Sequence, residues 1–143
     1  MDWVYLLTGL HGRISRQPFW MGLAVLIGVE IARAWLADHI QMDKLSSIVG
    51  LALNYPEFAL MLKRANDRNL PLLPIALFFV IDGLLGFLAL LRSDAVPNPN
   101  DPIVVVMVYL WAALALVLIA DLGFRRGTAG PNRFGPDPLG GKV

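Results

Sequence analysis

Four apolar stretches, each close to the roughly 20 residues an α-helix needs to cross a bilayer core, limit this chain more than any other feature. They are PFWMGLAVLIGVEIARAWLAD (18–38), LSSIVGLALNYPEFALML (45–62), PLLPIALFFVIDGLLGFLALL (71–91) and PIVVVMVYLWAALALVLIADLG (102–123). The fold they predict is all-α: a polytopic membrane protein, a four-transmembrane-helix bundle forming one membrane domain over residues 1–143. Composition agrees, because 57% hydrophobic residues and a mean hydropathy of +0.61 are too apolar for an ordinary soluble domain of 143 residues.

Local signals set the ends of these spans. Pro18, Pro71 and Pro102 stand where a first helical residue would, a position whose N–H has no helical acceptor in any case. Trp20 and Trp35 lie near the two ends of the first span, at the depth interfacial aromatics favour. The second span is the weakest, interrupted by Asn54, Pro56 and Glu57. The segments HIQMDK, KRANDRN and RSDAVPNPND read as linkers, the last too rich in proline to continue either neighbouring helix. The opening MDWVYLLTGLHG is too short to span and has no basic residue ahead of its apolar part, so it reads as a short interfacial helix rather than a signal peptide.

Basic residues sort by side. Arg13 and Arg16 precede the first span, Lys63, Arg64 and Arg68 follow the second, and Arg125, Arg126, Arg133 and Lys142 follow the fourth, against only Lys44 and Arg92 on the other side. Positive charge is retained in the cytoplasm, so both termini and the central loop are expected to be cytoplasmic. Losing the second span would put the basic N-terminal segment and the basic tail (124–143) on opposite sides, so the charge bias supports counting four.

Ionisable groups inside spans need a partner, neutralisation or water. Glu30 and Arg33 lie three apart on one helix face and read as a local pair; Asp82 falls at similar depth on the third span, within reach of an Arg33 bridge. Asn54, Glu57, Met61, Arg64 and Arg68 form one helical stripe, and Pro56 frees the carbonyl of Ala52. Acids outnumber Arg33 at depth, so one carboxyl is expected to be protonated, hydrated, or paired with Lys63 or Arg64. Asp121 can meet Arg125. Gly22, Gly28, Gly83 and Gly86 allow close helix approach.

Several chemistries are excluded. With no cysteine there is no disulfide, thiolate metal site or thiol nucleophile. His11 and His39 belong to opposite ends of the first span and cannot share a site. GTAGPNRFG looks like a Gly-rich loop, but no strand precedes it and no Lys-Ser/Thr pair ends it, which argues against nucleotide binding. No catalytic residues, metal ligands or cofactor are expected, and no nucleic-acid partner.

Three segments stand together on the cytoplasmic side: GRISRQPFW (12–20), KRANDRN (63–69) and FRRGTAGPNRFGPDP (124–138). Their combination and order resemble the small bacterial inner-membrane proteins grouped as domain of unknown function family 805. The family pattern has a Gly-Arg-x-Ser-Arg entry, a basic Arg-Arg-Leu-His-Asp segment and a Gly-Thr-x-Gly-x-Asn-x-Tyr/Phe-Gly tail. Gly12, Arg13, Ser15, Arg16, Phe19 and Trp20 match the first, and Gly127, Thr128, Gly130, Asn132, Phe134, Gly135, Pro136 and Pro138 the third. The middle departs: Ala65 and Asn66 stand where the pattern has Leu and His, which removes any proton-transfer role for that histidine. The resemblance implies fold, topology and a bacterial plasma-membrane location, and no activity.

Two function classes follow. One is a structural or interaction module whose basic face, Arg13, Arg16, Lys63, Arg64, Arg68, Arg125, Arg126 and Arg133 around Asp67, contacts anionic lipid headgroups, a membrane-protein partner or a second copy. Within it, Asp67 paired with Arg13 or Arg16 would arrange the other arginines into a pocket for a lipid phosphate or another anion. The other is a small transporter or channel component using Glu30, Arg33, Asn54, Glu57 and Asp82. The tail, Arg125 to about Pro138, is expected to fold as a cap: Gly127 and Gly130 turning, Asn132 bonding the turn, Phe134 anchoring against the bundle, and only Leu139 onward loose.

Overall fold

A computed structural model describes residues 2–40, 43–91 and 102–140, and these contain five helices: α1 (Trp3–Thr8), α2 (Arg16–Ile40), α3 (Asp43–Asp67), α4 (Leu73–Leu91) and α5 (Pro102–Phe124). The RSDAVPNPND linker with Arg92, and Lys142, lie outside the described residues. Three helices, α2, α3 and α5, are long and apolar enough to cross a membrane; α4 is apolar along Leu73–Phe87. Among the described residues the only extended pairing is a single bridge between Asn132 and Gly135.

Helix ends follow local chemistry. Asp2 caps α1, its carboxylate accepting from the Tyr5 N–H at 3.0 Å. Pro102 opens α5 as expected, whereas α2 starts at Arg16, two residues before Pro18, and α4 at Leu73, two residues after Pro71, so Pro18 and Pro74 fall inside first turns and Pro71 stays outside its helix. First-turn N–H groups have no intrahelical acceptor, so neither ring costs a bond. α3 continues through Pro56 and, contrary to the linker expectation, carries Lys63–Asp67 as its last turn. Asn69 then takes the left-handed conformation at φ 55°, and Leu70 N–H donates to Ala65 O while Asn69 N–H donates to Asn66 O. That is a Schellman ending with asparagine in the usual glycine position.

α2 and α3 run antiparallel, with Gly22 against Leu60 and Arg33 against Ser46, as do α3 and α4, with Phe58 against Phe79 and Leu51 against Gly86; α3 is central, packing against α1, α2, α4 and α5. The core is concentrated at one end. Leu6, Ile14, Phe19, Leu23, Leu26, Leu60, Met61, Ala65, Ile75, Phe78, Phe79 and Leu122 are buried there. Beyond them the helices present apolar side chains outward: Val25, Ile27, Val29 and Ile31 on α2, and Val106 to Leu110 on α5. Such surface needs an apolar solvent. Two of the four glycines expected at helix contacts serve there: a Cβ on Gly22 would lie 2.8 Å from Leu60, and one on Gly86 would lie 3.0 Å from Leu51. Gly28 and Gly83 have nothing within 4 Å.

Candidate functional site

Eight basic residues singled out in the sequence, Arg13, Arg16, Lys63, Arg64, Arg68, Arg125, Arg126 and Arg133, gather at the end of the bundle where α2 begins and α3 and α5 finish. They divide by depth into a buried set and an exposed set, with Arg68 half-buried between them. Arg13, Lys63, Arg64 and Asp67 are buried, as is Asn66. Arg16, Arg125, Arg126 and Arg133 are exposed.

Asp67 is the centre of the buried set. One carboxylate oxygen accepts from Arg13 Nε at 3.1 Å and lies 3.0 Å from Nη2, and the other accepts from Arg64. The open choice between Arg13 and Arg16 thus falls to Arg13. One carboxylate cannot neutralise two guanidiniums and the Lys63 ammonium, and buried charge must be compensated. Backbone carbonyls supply the rest. Arg13 donates to Thr128 O at 2.6 Å and to Gly130 O at 2.7 Å, and Arg64 to Leu122 O at 2.7 Å and Arg125 O at 2.6 Å. Lys63 donates to Tyr5 O, Leu6 O and Gly9 O at 2.6 to 2.7 Å, closing the last turn of α1, with its Nζ 4.9 Å from the Tyr5 ring centre. Lys63 and Arg64 therefore serve helix C-termini, where exposed carbonyls and the negative dipole end favour cations. They do not pair with the deep acids, contrary to expectation.

The three sequence segments prove to be one network. Asn66 of the middle segment donates to Gly12 O of the entry at 3.1 Å and accepts from Asn132 of the tail at 2.9 Å. Asp67 O receives both the N–H and the hydroxyl of Thr128 at 2.8 Å. Gly127 lies so close to the Asp67 carboxylate that a Cβ would overlap it, so its glycine is explained by close approach. Gly130, at φ 74°, makes the expected turn. Asn132 bonds the following turn through Phe134 N–H at 2.9 Å. Phe134 is not among the residues packed on the core; it carries the Arg133 guanidinium 4.6 Å above its ring. Asp137 accepts from Gly130 and Leu139 N–H, both 2.9 Å, and these bonds hold its carboxyl below the usual carboxylate range.

Of the exposed set, Arg125 pairs with Asp121 at 3.0 Å, and Arg68, half-buried, also engages Asp121. Arg16 makes a 3.5 Å contact with Phe124 O, and Arg126 has neither hydrogen bond nor ion pair among the described residues. Both line a cavity of about 340 Å³ beneath the tail.

A second cavity, of about 450 Å³, lies farther along the bundle between α2, α3 and α4. It brings together Glu30, Arg33, Asn54, Glu57 and Asp82, the intramembrane set expected from the sequence. The local pair forms as expected, and the longer bridge does not. Arg33 binds Glu30 at 2.6 Å and Ser46 Oγ at 2.7 Å, and does not bridge to Asp82. Asp82 instead accepts from Asn54 at 2.7 Å and Trp111 Nε1 at 2.9 Å. The Glu57 carboxyl has no hydrogen-bond or ion-pair partner among the described residues. Sequence reasoning did not include Trp111; its one signal was an indole N–H in mid-span, a group that usually finds an acceptor when buried. His11 and His39 stand at opposite ends of the bundle, with His39 stacked on Trp35.

A family model described as a protein of unknown function, DUF805, matches residues 7–136. The chain belongs to the DUF805 family. The match spans the entry segment, the end of α3 and the tail as far as Pro136, and so takes in Arg13, Asp67 and Asn66 of the buried network. Neither a curated protein nor a solved structure matches the chain.

Proposed function

We propose that this DUF805 protein is a four-span component of the bacterial inner membrane with both termini cytoplasmic, working as a structural or interaction module. In this reading its basic cytoplasmic face contacts anionic lipid headgroups, and the protein performs no catalysis. The observation that carries it is the division of the basic residues: Arg13, Lys63 and Arg64 are buried within the fold, whereas Arg16, Arg125, Arg126 and Arg133 face outward at the same end. Buried cations anchored on carbonyls make that end rigid, and a rigid array of outward guanidiniums suits an anionic surface, each contributing about 1 kcal/mol. The test is native mass spectrometry of the intact protein released from mixed-lipid nanodiscs. Preferential retention of phosphatidylglycerol over phosphatidylcholine, reduced when Arg16, Arg125, Arg126 and Arg133 are all changed to Gln, is the expected result; equal retention of both lipids rejects the reading.

One observation favours a second reading, a small transporter or channel component. Glu57 faces the 450 Å³ cavity with no hydrogen-bond or ion-pair partner among the described residues, as a proton- or cation-handling carboxyl would. A proton flux in liposomes abolished by Glu57→Gln supports it, and no flux in the unaltered protein rejects it.

A further inference from the structure

We propose that the 340 Å³ cavity beneath the tail is a binding site for an esterified phosphate. This deepens the lipid-contact reading and rests on it for the headgroup source, but it makes a narrower claim: one cavity, not the whole basic face, holds the phosphate.

The argument begins with which wall groups are already engaged. Two acids line the cavity, Asp67 and Asp137. Asp67 has both oxygens taken by Arg13 and Arg64, and Asp137 has both taken by the N–H groups of Gly130 and Leu139. Asp67 is offset by two guanidiniums, while Asp137 keeps its charge with both oxygens held by backbone N–H groups. The cationic wall groups differ. Arg126 has no partner among the described residues, and Arg16 has one long contact, to Phe124 O at 3.5 Å. Counting the wall residues with Arg13, which binds Asp67 from behind, sets four guanidiniums against two carboxylates. The cavity therefore has unspent donors and excess positive charge.

Geometry selects the anion. Guanidinium forks bind tetrahedral oxyanions with paired hydrogen bonds, which a halide cannot reciprocate. Ser15, whose hydroxyl has no partner among the described residues, stands on the same wall immediately before α2. The 25-residue α2 begins here at Arg16, so its positive dipole end adds to the field of the two arginines. The volume lies within the range of about 300–1,000 Å³ typical of small-molecule sites. It exceeds what a bare phosphate fills, and Pro138 and Leu139 supply an apolar wall for the alcohol part of an ester. A lipid headgroup and a soluble phosphate monoester share this chemistry. The site's position at the start of the first long helix puts the membrane source within reach.

The test uses the full-length protein in detergent and in nanodiscs, with phosphatidylglycerol and glycerol phosphate as probes. The double variant Arg16→Gln/Arg126→Gln alters the cavity, and Arg125→Gln/Arg133→Gln alters the face outside it. Arg126→Gln alone breaks no hydrogen bond or ion pair among the described residues and guards against a loss caused by unfolding. The cavity variants should weaken phosphate-probe binding about tenfold or more, the effect of losing a charge-assisted hydrogen bond, while the outer pair leaves it unchanged. Equal weakening by both pairs overturns the cavity site and keeps the face reading. No weakening by either overturns the site and the face reading together. Binding of glycerol phosphate without phosphatidylglycerol, lost in the cavity variants, keeps the site and overturns its lipid source.

Discussion

Asp67 accepts from Arg13 and Arg64 through its side chain and from Thr128 through its carbonyl, so one residue joins α2's entry segment, α3 and the tail. Changing it to Asn leaves two buried guanidiniums without a counter-charge. Removal of one partner from a buried ion pair costs about 3–5 kcal/mol, and the Asp67→Asn protein should show that loss in denaturant unfolding in detergent. Gly127→Ala should also destabilise, because the displaced group would be a carboxylate held by two arginines; a melting temperature equal to that of the unaltered protein would contradict this. At Asp137 the sign with pH is fixed by the lowered carboxyl. A carboxylate whose folded pKa lies below its unfolded value stabilises above that unfolded value, and the contribution fades as pH falls through the folded one. The tail should thus keep its Gly130 and Leu139 amide protection at pH 5 and lose it only below about pH 4, as read by hydrogen exchange.

Among the elements, α1 has Leu6 in the core, and most of the carbonyls at its C-terminal end are held by a single side chain. Lys63 bonds three carbonyls at its C-terminal end, and a six-residue helix is too short to persist alone. Lys63→Met should release it, seen as faster exchange at Tyr5 and Leu6 while α4 and α5 keep their protection. Packing of α2 on α3 makes a second, more graded prediction. Gly22→Ala meets Leu60 and should lower the melting temperature, whereas Gly28→Ala meets nothing and should leave it unchanged or slightly raised by helix propensity. Gly22 and Gly28 read alike in the sequence, since both are helix glycines near an apolar stripe. Which of the two faces α3 depends on the rotation of α2, a property of packing that the sequence does not contain.

At the scale of the molecule, the buried core lies at one end and the far ends of the helices are exposed and apolar. Most of the long-range hydrogen bonding is gathered at that end, a smaller polar set of Arg33, Asn54, Asp82 and Trp111 lies between the helices, and the apolar outer surface is left for hydrocarbon to solvate. The proposed topology makes the interlocked end cytoplasmic. The chain has no cysteine, so single introduced cysteines report sidedness without interference. Lys44→Cys should react with an impermeant maleimide from outside intact spheroplasts, and Ala129→Cys only after the membrane is opened. The opposite pattern would reverse the topology and move the basic face to the other side.

The helical class, the long apolar helices and the membership of three short segments in one set were all written in residue order, because hydrophobic run length and motif spacing are one-dimensional properties. The pairing of Glu30 with Arg33, three residues apart, was legible for the same reason. Partners distant in the chain were not. Arg33 stops at Ser46 rather than Asp82, Asp82 takes Trp111, and Lys63 goes to the end of α1, each decided by how the helices are rotated and stacked. The eight arginines and lysines at one end look equivalent in the sequence, since charge and spacing do not encode depth. Only tertiary packing separates the three that are buried from those that face outward, because a cation taken out of water must be compensated by the acceptors that packing brings to it, here the Asp67 carboxylate and backbone carbonyls.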